Sequence, residues 1–423
     1  MFAMLDVRTI REHPELVKHA VEVKGIDLDV DALVALDTEV RRLRHEVDNA
    51  MGERKRRSKE FGRADEATRE RLRAEQADFD VRLGATKDEH AARAAELQDL
   101  LLQVPGIPWD QAPVGAGEAE NVVIKKVGTP PSFDFEPLDH VTLLEERGWA
   151  EFARARNVSG ERAYALRGDA VLLERAVLSY ALDLLVTRSF TPISVPSLVR
   201  EAALVGTGMF PKGREETYEL PADDLFLAGT GEVALVGLHA GEILDKAQLP
   251  LLYAGISPCF RREIGSAGRD VRGLIRVHQF EKVEQFVVCE ADDAESEKWH
   301  QALLDCAEQL LLDLDLAYEV VECSTGDMGL GKFRMNDINT WFPSLESYRE
   351  THSCSTLHDW QARRASLRYR DTDGTIKHAH TLNNTAAATP RLLVALLENH
   401  QNADRTVTVP PVLRPYLQGR EVL

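Results

Sequence analysis

From residue 31 to about residue 61, the apolar positions Leu33, Leu36, Val40, Leu43 and Val47 recur at alternating steps of three and four, the spacing of a coiled-coil seam. Gly62 interrupts the pattern, and a second run over about 65–103 carries Leu72, Phe79, Leu83, Leu97 and Leu100. So short a connection predicts two antiparallel helices, each reaching about 45–55 Å at 1.5 Å per residue. Ahead of them, residues 1–24 read as a small helical cap with Pro14 near a first turn. Pro105, Gly106, Pro108, Pro113, Gly115 and Gly117 end the helical stretch, which predicts an N-terminal arm over 1–104 and a larger domain over 105–423.

The period changes in the larger domain. Residues 171–188 read as an apolar-rich helix, and FTPISVPSLV after them as a strand. Residues 225–232, LFLAGTGE, read as a strand ending in a glycine-flanked turn that presents Thr230, Gly231 and Glu232. A helix is predicted over 294–314 and strands over 318–323 and 338–342. The last helix is predicted to start with Thr389 as N-cap and Pro390 at its first position, with Arg391 in the first turn. Its residues 392–397 are apolar on every side, as a buried helix requires. An arginine at a buried helix start needs an anionic partner, either a core carboxylate or a phosphate.

The densest chemistry lies in residues 257–290, which read as two strands joined by a basic, glycine-containing loop. Arg276, Phe280 and Glu284, four apart on the second strand, are predicted to share a face, as are Arg261 and Glu263 at the end of the first. Gly265, Gly268 and Gly273 interspersed with Arg269, Arg272 and Arg276 would let backbone and guanidinium groups approach a phosphate closely. Such a surface offers cations, an aromatic plate and a carboxylate together. The bland alternative is a hairpin with solvated charges.

Composition narrows the class. A chain of 423 residues, 44% hydrophobic, has room for a sizeable core. Its formal charge of −19 excludes a surface uniformly basic for nucleic acid, but not a local basic patch, and Arg54, Lys55, Arg56, Arg57 and Lys59 form one near the predicted turn of the arm. Charge alone favours a solvated helix face there. Five cysteines without a CxxC pair favour reduced thiols in the cytoplasm and no zinc site. The N-terminus lacks the pattern of a secretory signal, and apolar stretches fall short of the roughly 18 uncharged residues of a membrane span.

FRRE followed by GRDVRGLIRVHQFEKVE resembles motif 2 of the class II aminoacyl-tRNA synthetases, in the form found in seryl-tRNA synthetases. The helix and FTPISVPSLV resemble motif 1, TGE resembles the TxE element, RETHSCS the metal-holding segment, and HTLNNTAAATPR motif 3. The resemblance covers nearly the whole chain. It implies an α+β fold, with a class II antiparallel sheet flanked by helices behind a two-helix coiled-coil arm. It implies activation of L-serine by ATP and transfer to tRNA(Ser), with tRNA(Sec) open, in a cytoplasmic homodimer without a membrane. Arg261 and Arg391 would be catalytic. ATP would be held by Arg261, Arg262, Glu263, Arg276, Val277, Phe280, Glu350, Thr351, His352, Ser353 and Arg391, with Mg2+ on Glu350 and Ser353. No proton-transfer role falls to His352. Serine would be held by Thr230, Gly231, Glu232, Arg261, Glu284, Asn383 and Thr385, and tRNA by the basic cluster of the arm.

Two departures stand out: NNTAAATPR replaces a glycine-rich run, and Asn339 stands where glutamate is usual. Rival readings are a ligase charging a carrier protein, a non-catalytic RNA-binding relative, and a specialised copy serving an antibiotic pathway or resistance.

Overall fold

The computed structural model describes residues 7–264 and 272–423, so Gly265, Gly268 and Arg269 of the predicted basic loop lie outside the described residues. Two compact units divide the chain, with the break between Pro105 and Gly106.

In the first unit, short helices Val7–Glu12 and Pro14–Val23 precede two long ones, Val30–Phe61 and Glu66–Leu101. Each long helix begins on an aspartate: the Asp29 carboxylate accepts from Ala32 N and that of Asp65 from Thr68 N, both at 2.9 Å. Leu33, Leu36 and Leu43 are buried on one helix and Phe79, Leu83 and Leu97 on the other, while Val40 and Val47 are half-buried. Among the described residues none between Leu43 and Phe79 is buried, so the packing thins toward the connecting turn.

The second unit is built on an eight-stranded sheet in the order Val122–Val127, Tyr318–Glu322, Arg334–Phe342, Ser347–His358, His380–Ala388, Gln279–Cys289, Leu251–Phe260, Thr191–Ser194. All neighbours are antiparallel except the last pair. Helices Asp169–Thr187, Asp293–Asp313 and Thr389–Asn399 share one apolar core with Val283, Val287, Val320, Ile338 and Leu382 of the sheet. Along Gln279–Cys289 the side chains alternate. Val283, Val287 and Cys289 join that helical core, whereas Phe280, Lys282 and Glu284 face the other way.

Three local expectations are corrected. The first strand ends at Phe260 and the second begins at Gln279, so Arg261, Glu263 and Arg276 lie on the connection rather than on strands. The cause is backbone: Glu263 has φ 54° and Gly273 φ 85°, conformations that no strand accommodates. Thr389 does not cap its helix, which the chain enters directly from the His380–Ala388 strand with no loop residue to spare. Its hydroxyl instead accepts from Glu281 N at 3.3 Å and hydrogen-bonds Glu174, whose carboxyl is pushed up by burial and then by the charge of Glu281.

Candidate active site

The connection after Phe260 folds back so that its cations meet the end of the sheet. Arg261 Nε donates to Gly229 O at 3.2 Å, and its guanidinium stands 5.3 Å from the centre of the Phe280 ring. Arg276 Nη1 donates to Glu263 Oε2 at 2.7 Å. Three residues before Arg276, Gly273 presses on His140: a Cβ there would lie 2.2 Å from His140 Nε2, so any other residue would displace the turn. That nitrogen accepts from Leu274 N at 3.2 Å while Nδ1 faces Glu398 Oε1 at 2.8 Å, which fixes the proton on Nδ1. Glu398 is fully buried and also accepts from Ser344 N at 3.0 Å.

From the opposite side Arg391 Nη1 donates to Glu350 O at 2.7 Å and to Glu350 Oε2 at 3.0 Å. Of the two partners expected for that arginine the structure shows a carboxylate, and Glu350 is exposed at the cleft rather than sealed in the core. The cleft so formed is lined by Arg261, Glu263, Arg276, Val277, Phe280, Lys282, Glu350, Thr351, Thr385, Pro390 and Arg391. Although desolvation opposes ionisation there, the Arg391, Arg261 and Lys332 charges hold Glu350 below the usual carboxylate range. Asp337, facing Ser353 across the strand pair, is pushed up to about 7 by burial and by Glu350.

Next to Lys282 and Thr385 of the cleft lie groups expected to read a small amino acid. Thr385 pairs in register with Glu284. Glu232 Oε1 accepts from Gln361 Nε2 at 2.6 Å and Asn383 Nδ2 at 2.8 Å. Burial, then repulsion from Glu284, raises the Glu232 carboxyl above its ordinary value. Gly231 lets the turn approach closely, since a Cβ there would stand 3.0 Å from Ser257 Oγ and 3.7 Å from Glu284 Cβ.

Not every expected residue arrives at the cleft. Arg262 turns away to donate to Glu215 O at 3.1 Å. His352 is fully buried, and its ring is spent on Thr351 Oγ1 at 2.8 Å and Ala386 O at 3.1 Å. Burial pushes that imidazole down to about 4, so it stays neutral, as fits a structural part. The departures are accommodated locally. Asn339 Nδ2 donates to Glu319 Oε1 at 3.4 Å, which a glutamate could not do, and the methyls of Ala386 and Ala387 are buried in the core. Sequence reasoning missed Lys282, Asp337, Gln361 and His140. Only Lys282 carried a signal, being two residues from Glu284 and hence on its face.

On the arm the basic cluster splits. Arg54 pairs with Asp80 at 3.0 Å, and Arg57 pairs with Glu53 at 2.6 Å while lying 4.5 Å over the Phe79 ring. Lys55, Arg56 and Lys59 are exposed and have no side-chain partner among the described residues. Arg54, Arg57, Phe61, Leu72 and Arg73 line a groove between the two helices.

Comparison with known proteins gives a concordant picture. The family described as seryl-tRNA synthetase N-terminal domain matches residues 4–108, and that described as tRNA synthetase class II core domain (G, H, P, S and T) matches residues 217–400. The serine–tRNA ligase of Deinococcus radiodurans is 52% identical over 420 residues, covering 99% of each chain. The crystal structure of seryl-tRNA synthetase from Pyrococcus horikoshii complexed with ATP is similar with a TM-score of 0.89 at 39% identity, covering 99% of both chains. That of a cytoplasmic serine–tRNA ligase from Naegleria fowleri in complex with AMP gives 0.86 at 28% identity, covering 99% of this chain and 98% of the other.

Proposed function

This chain belongs to the seryl-tRNA synthetases, class II ligases that activate serine with ATP and load it on tRNA, and from that premise we propose how its residues divide the work. Serine's carboxylate attacks the α-phosphorus of ATP, the bond to the β-phosphate oxygen breaks, and seryl-adenylate and pyrophosphate result. The terminal ribose hydroxyl of tRNA(Ser) then takes the acyl group and AMP leaves. Neither step needs a side-chain nucleophile, so the chain's contribution is positioning and charge.

Arg261 bridges the carboxylate and the α-phosphate, and Arg276 and Arg391 neutralise the outer phosphates. Phe280 stacks on the adenine beside the Val277 backbone. Glu350 of the cleft and the buried hydroxyl of Ser353, opposite Asp337 on the neighbouring strand, are hard oxygen donors, a set that fits Mg2+, which when bound would neutralise phosphate charge. Glu232 and Glu284 hold the amino group and hydroxyl of serine, with Thr230 and Thr385. Because these groups must pair with a hydroxyl, alanine should be rejected by about 10⁴-fold. The observation that carries the reading is the convergence of Arg261, Arg276, Phe280, Glu350, Thr385 and Arg391 on one cleft.

The arm serves tRNA by backbone contacts from Lys55, Arg56 and Lys59, recognition by shape rather than by base. The working unit is a homodimer built on helix Asp169–Thr187 and the strand after it, as the resemblance to motif 1 implies. It acts in the cytoplasm, where its five free, buried cysteines would stay reduced; no described helix is long and apolar enough to cross a membrane. The match of residues 4–108 disfavours the carrier-protein ligase. The test is serine-dependent pyrophosphate exchange. Glu284→Ala should abolish it while ATP still binds, and exchange at the wild-type rate would refute the assignment. Charging of tRNA(Ser) with and without its long variable stem, and of tRNA(Sec), tests the role of the arm.

A further inference from the structure

Lys282 has no role in the reading above, yet it lines the cleft and contacts two of the groups assigned to serine, Thr230 and Glu284. It lies on the cleft face of strand Gln279–Cys289 and is 5% exposed. Its ammonium donates to Thr230 Oγ1 at 2.8 Å and sits against Glu284 Oε2 as an ion pair that is not aligned as a hydrogen bond. Taking a lysine out of water costs several kcal/mol unless it is paired, so an apolar residue would serve a merely structural position better. What the lysine does instead is tie two walls of the pocket together. Thr230 comes from the turn before helix Glu232–Leu238, and Glu284 from the sheet.

The hydrogen-bond count at Thr230 is informative. A threonine hydroxyl has two acceptor sites and one proton to donate. Thr230 Oγ1 already accepts from Lys282 Nζ at 2.8 Å and from Glu232 N at 3.3 Å. Only its proton remains, so while Lys282 is in place Thr230 must face an oxygen of the amino acid and not its ammonium. The same lysine offsets the charge of Glu284, which would otherwise stand bare beside Glu232.

Resting on the serine-activating reading, we propose that Lys282 is a positioning residue for serine: it holds Glu284 in place for the substrate's hydroxyl and turns the Thr230 hydroxyl into a donor, leaving the substrate's ammonium to Glu232. It touches neither ATP nor the reacting atoms in this scheme. Its loss should therefore appear in serine recognition and not in ATP recognition.

The experiment is pyrophosphate exchange by full-length protein carrying Lys282→Met, Lys282→Gln or Lys282→Arg, with the KM for serine and for ATP measured separately. Lys282→Met should raise the serine KM by about 10–100-fold, leave the ATP KM within about threefold, and shrink the preference for serine over alanine about tenfold. Lys282→Arg keeps the charge and should recover part of the loss. Lys282→Gln keeps a donor for Thr230 without the charge and should fall between the other two. Thermal unfolding identifies any variant that fails to fold, in which case the remaining two carry the test. An unchanged serine KM in a folded variant, parallel rises in both KM values, or an arginine variant no better than methionine would overturn the proposal. Absence of serine-dependent exchange in the wild type would instead overturn the functional reading on which it rests.

Discussion

Positive charge is used in opposite ways in the two units of this molecule. In the cleft, Arg276 is bound to Glu263, Arg391 to Glu350, and Lys282 to Glu284 before any ligand arrives. On the arm, Lys55, Arg56 and Lys59 stand in solvent without side-chain partners among the described residues. Charges held in place cost nothing to reorganise when the transition state forms, but removing one leaves its partner exposed to a hostile environment. Free charges contribute through long-range attraction, each adding a similar small amount that salt can erase. Loss in the cleft should thus be steep and specific, and loss on the arm gradual and sensitive to ionic strength.

The steepest test is Arg391→Ala, which should lower kcat/KM in pyrophosphate exchange by about 10³-fold, because it removes a phosphate ligand and strips Glu350 of its partner. A loss below about tenfold would erase the distinction between the two units. Next in size, replacing Lys55, Arg56 and Lys59 together by alanine should raise the KM for tRNA by about 10–100-fold and flatten its dependence on salt by about two logarithmic units per decade, with pyrophosphate exchange untouched. Replacing Arg54 and Arg57 instead should lower helicity of the arm on heating, since these two brace the helices.

A smaller effect is expected from pH. The Glu232 carboxyl is raised by burial and by Glu284, and it must be ionised to hold an ammonium. The kcat/KM for serine should rise with pH through that elevated value, about tenfold per unit on the acid limb, and Glu232→Gln should abolish that limb. Measuring the ATP KM over the same range checks the specificity, as it should follow a different curve. The smallest effect is expected from Asn339→Glu. It would put a carboxylate against Glu319 and across the strand pair from Glu350, costing about threefold in ATP affinity by nucleotide titration.

The two units also differ in how much of them could be read in advance. The arm follows from one repeat: of the five seam positions, Leu33, Leu36 and Leu43 are buried, while Val40 and Val47 are half-buried. The α+β sheet was implied by the resemblance to the class II synthetases, while the shared face of Phe280 and Glu284 follows from alternation. The cleft resisted wherever the backbone leaves the strand. Glu263 and Gly273, both at positive φ, carry Arg261 and Arg276 to the site by a folded connection, which no periodicity encodes. Lys282 shares the face of Glu284 by alternation, but a lysine following Glu281 reads as a solvent-facing residue until its burial beside a carboxylate is seen. Asp337 depended on a bulge between Ile338 and Asn339 that resets the register opposite Glu350.

One buried acid far from the reacting atoms sets a limit on how this enzyme can fail. Glu398 belongs to the same helix that presents Arg391, and through His140 it also clamps the turn that delivers Arg276. The two jaws of the nucleotide grip are hinged on a common pin. Loosening that helix would open both together, so partial damage there should yield molecules with no grip at all mixed with intact ones, rather than a uniform population with half the affinity.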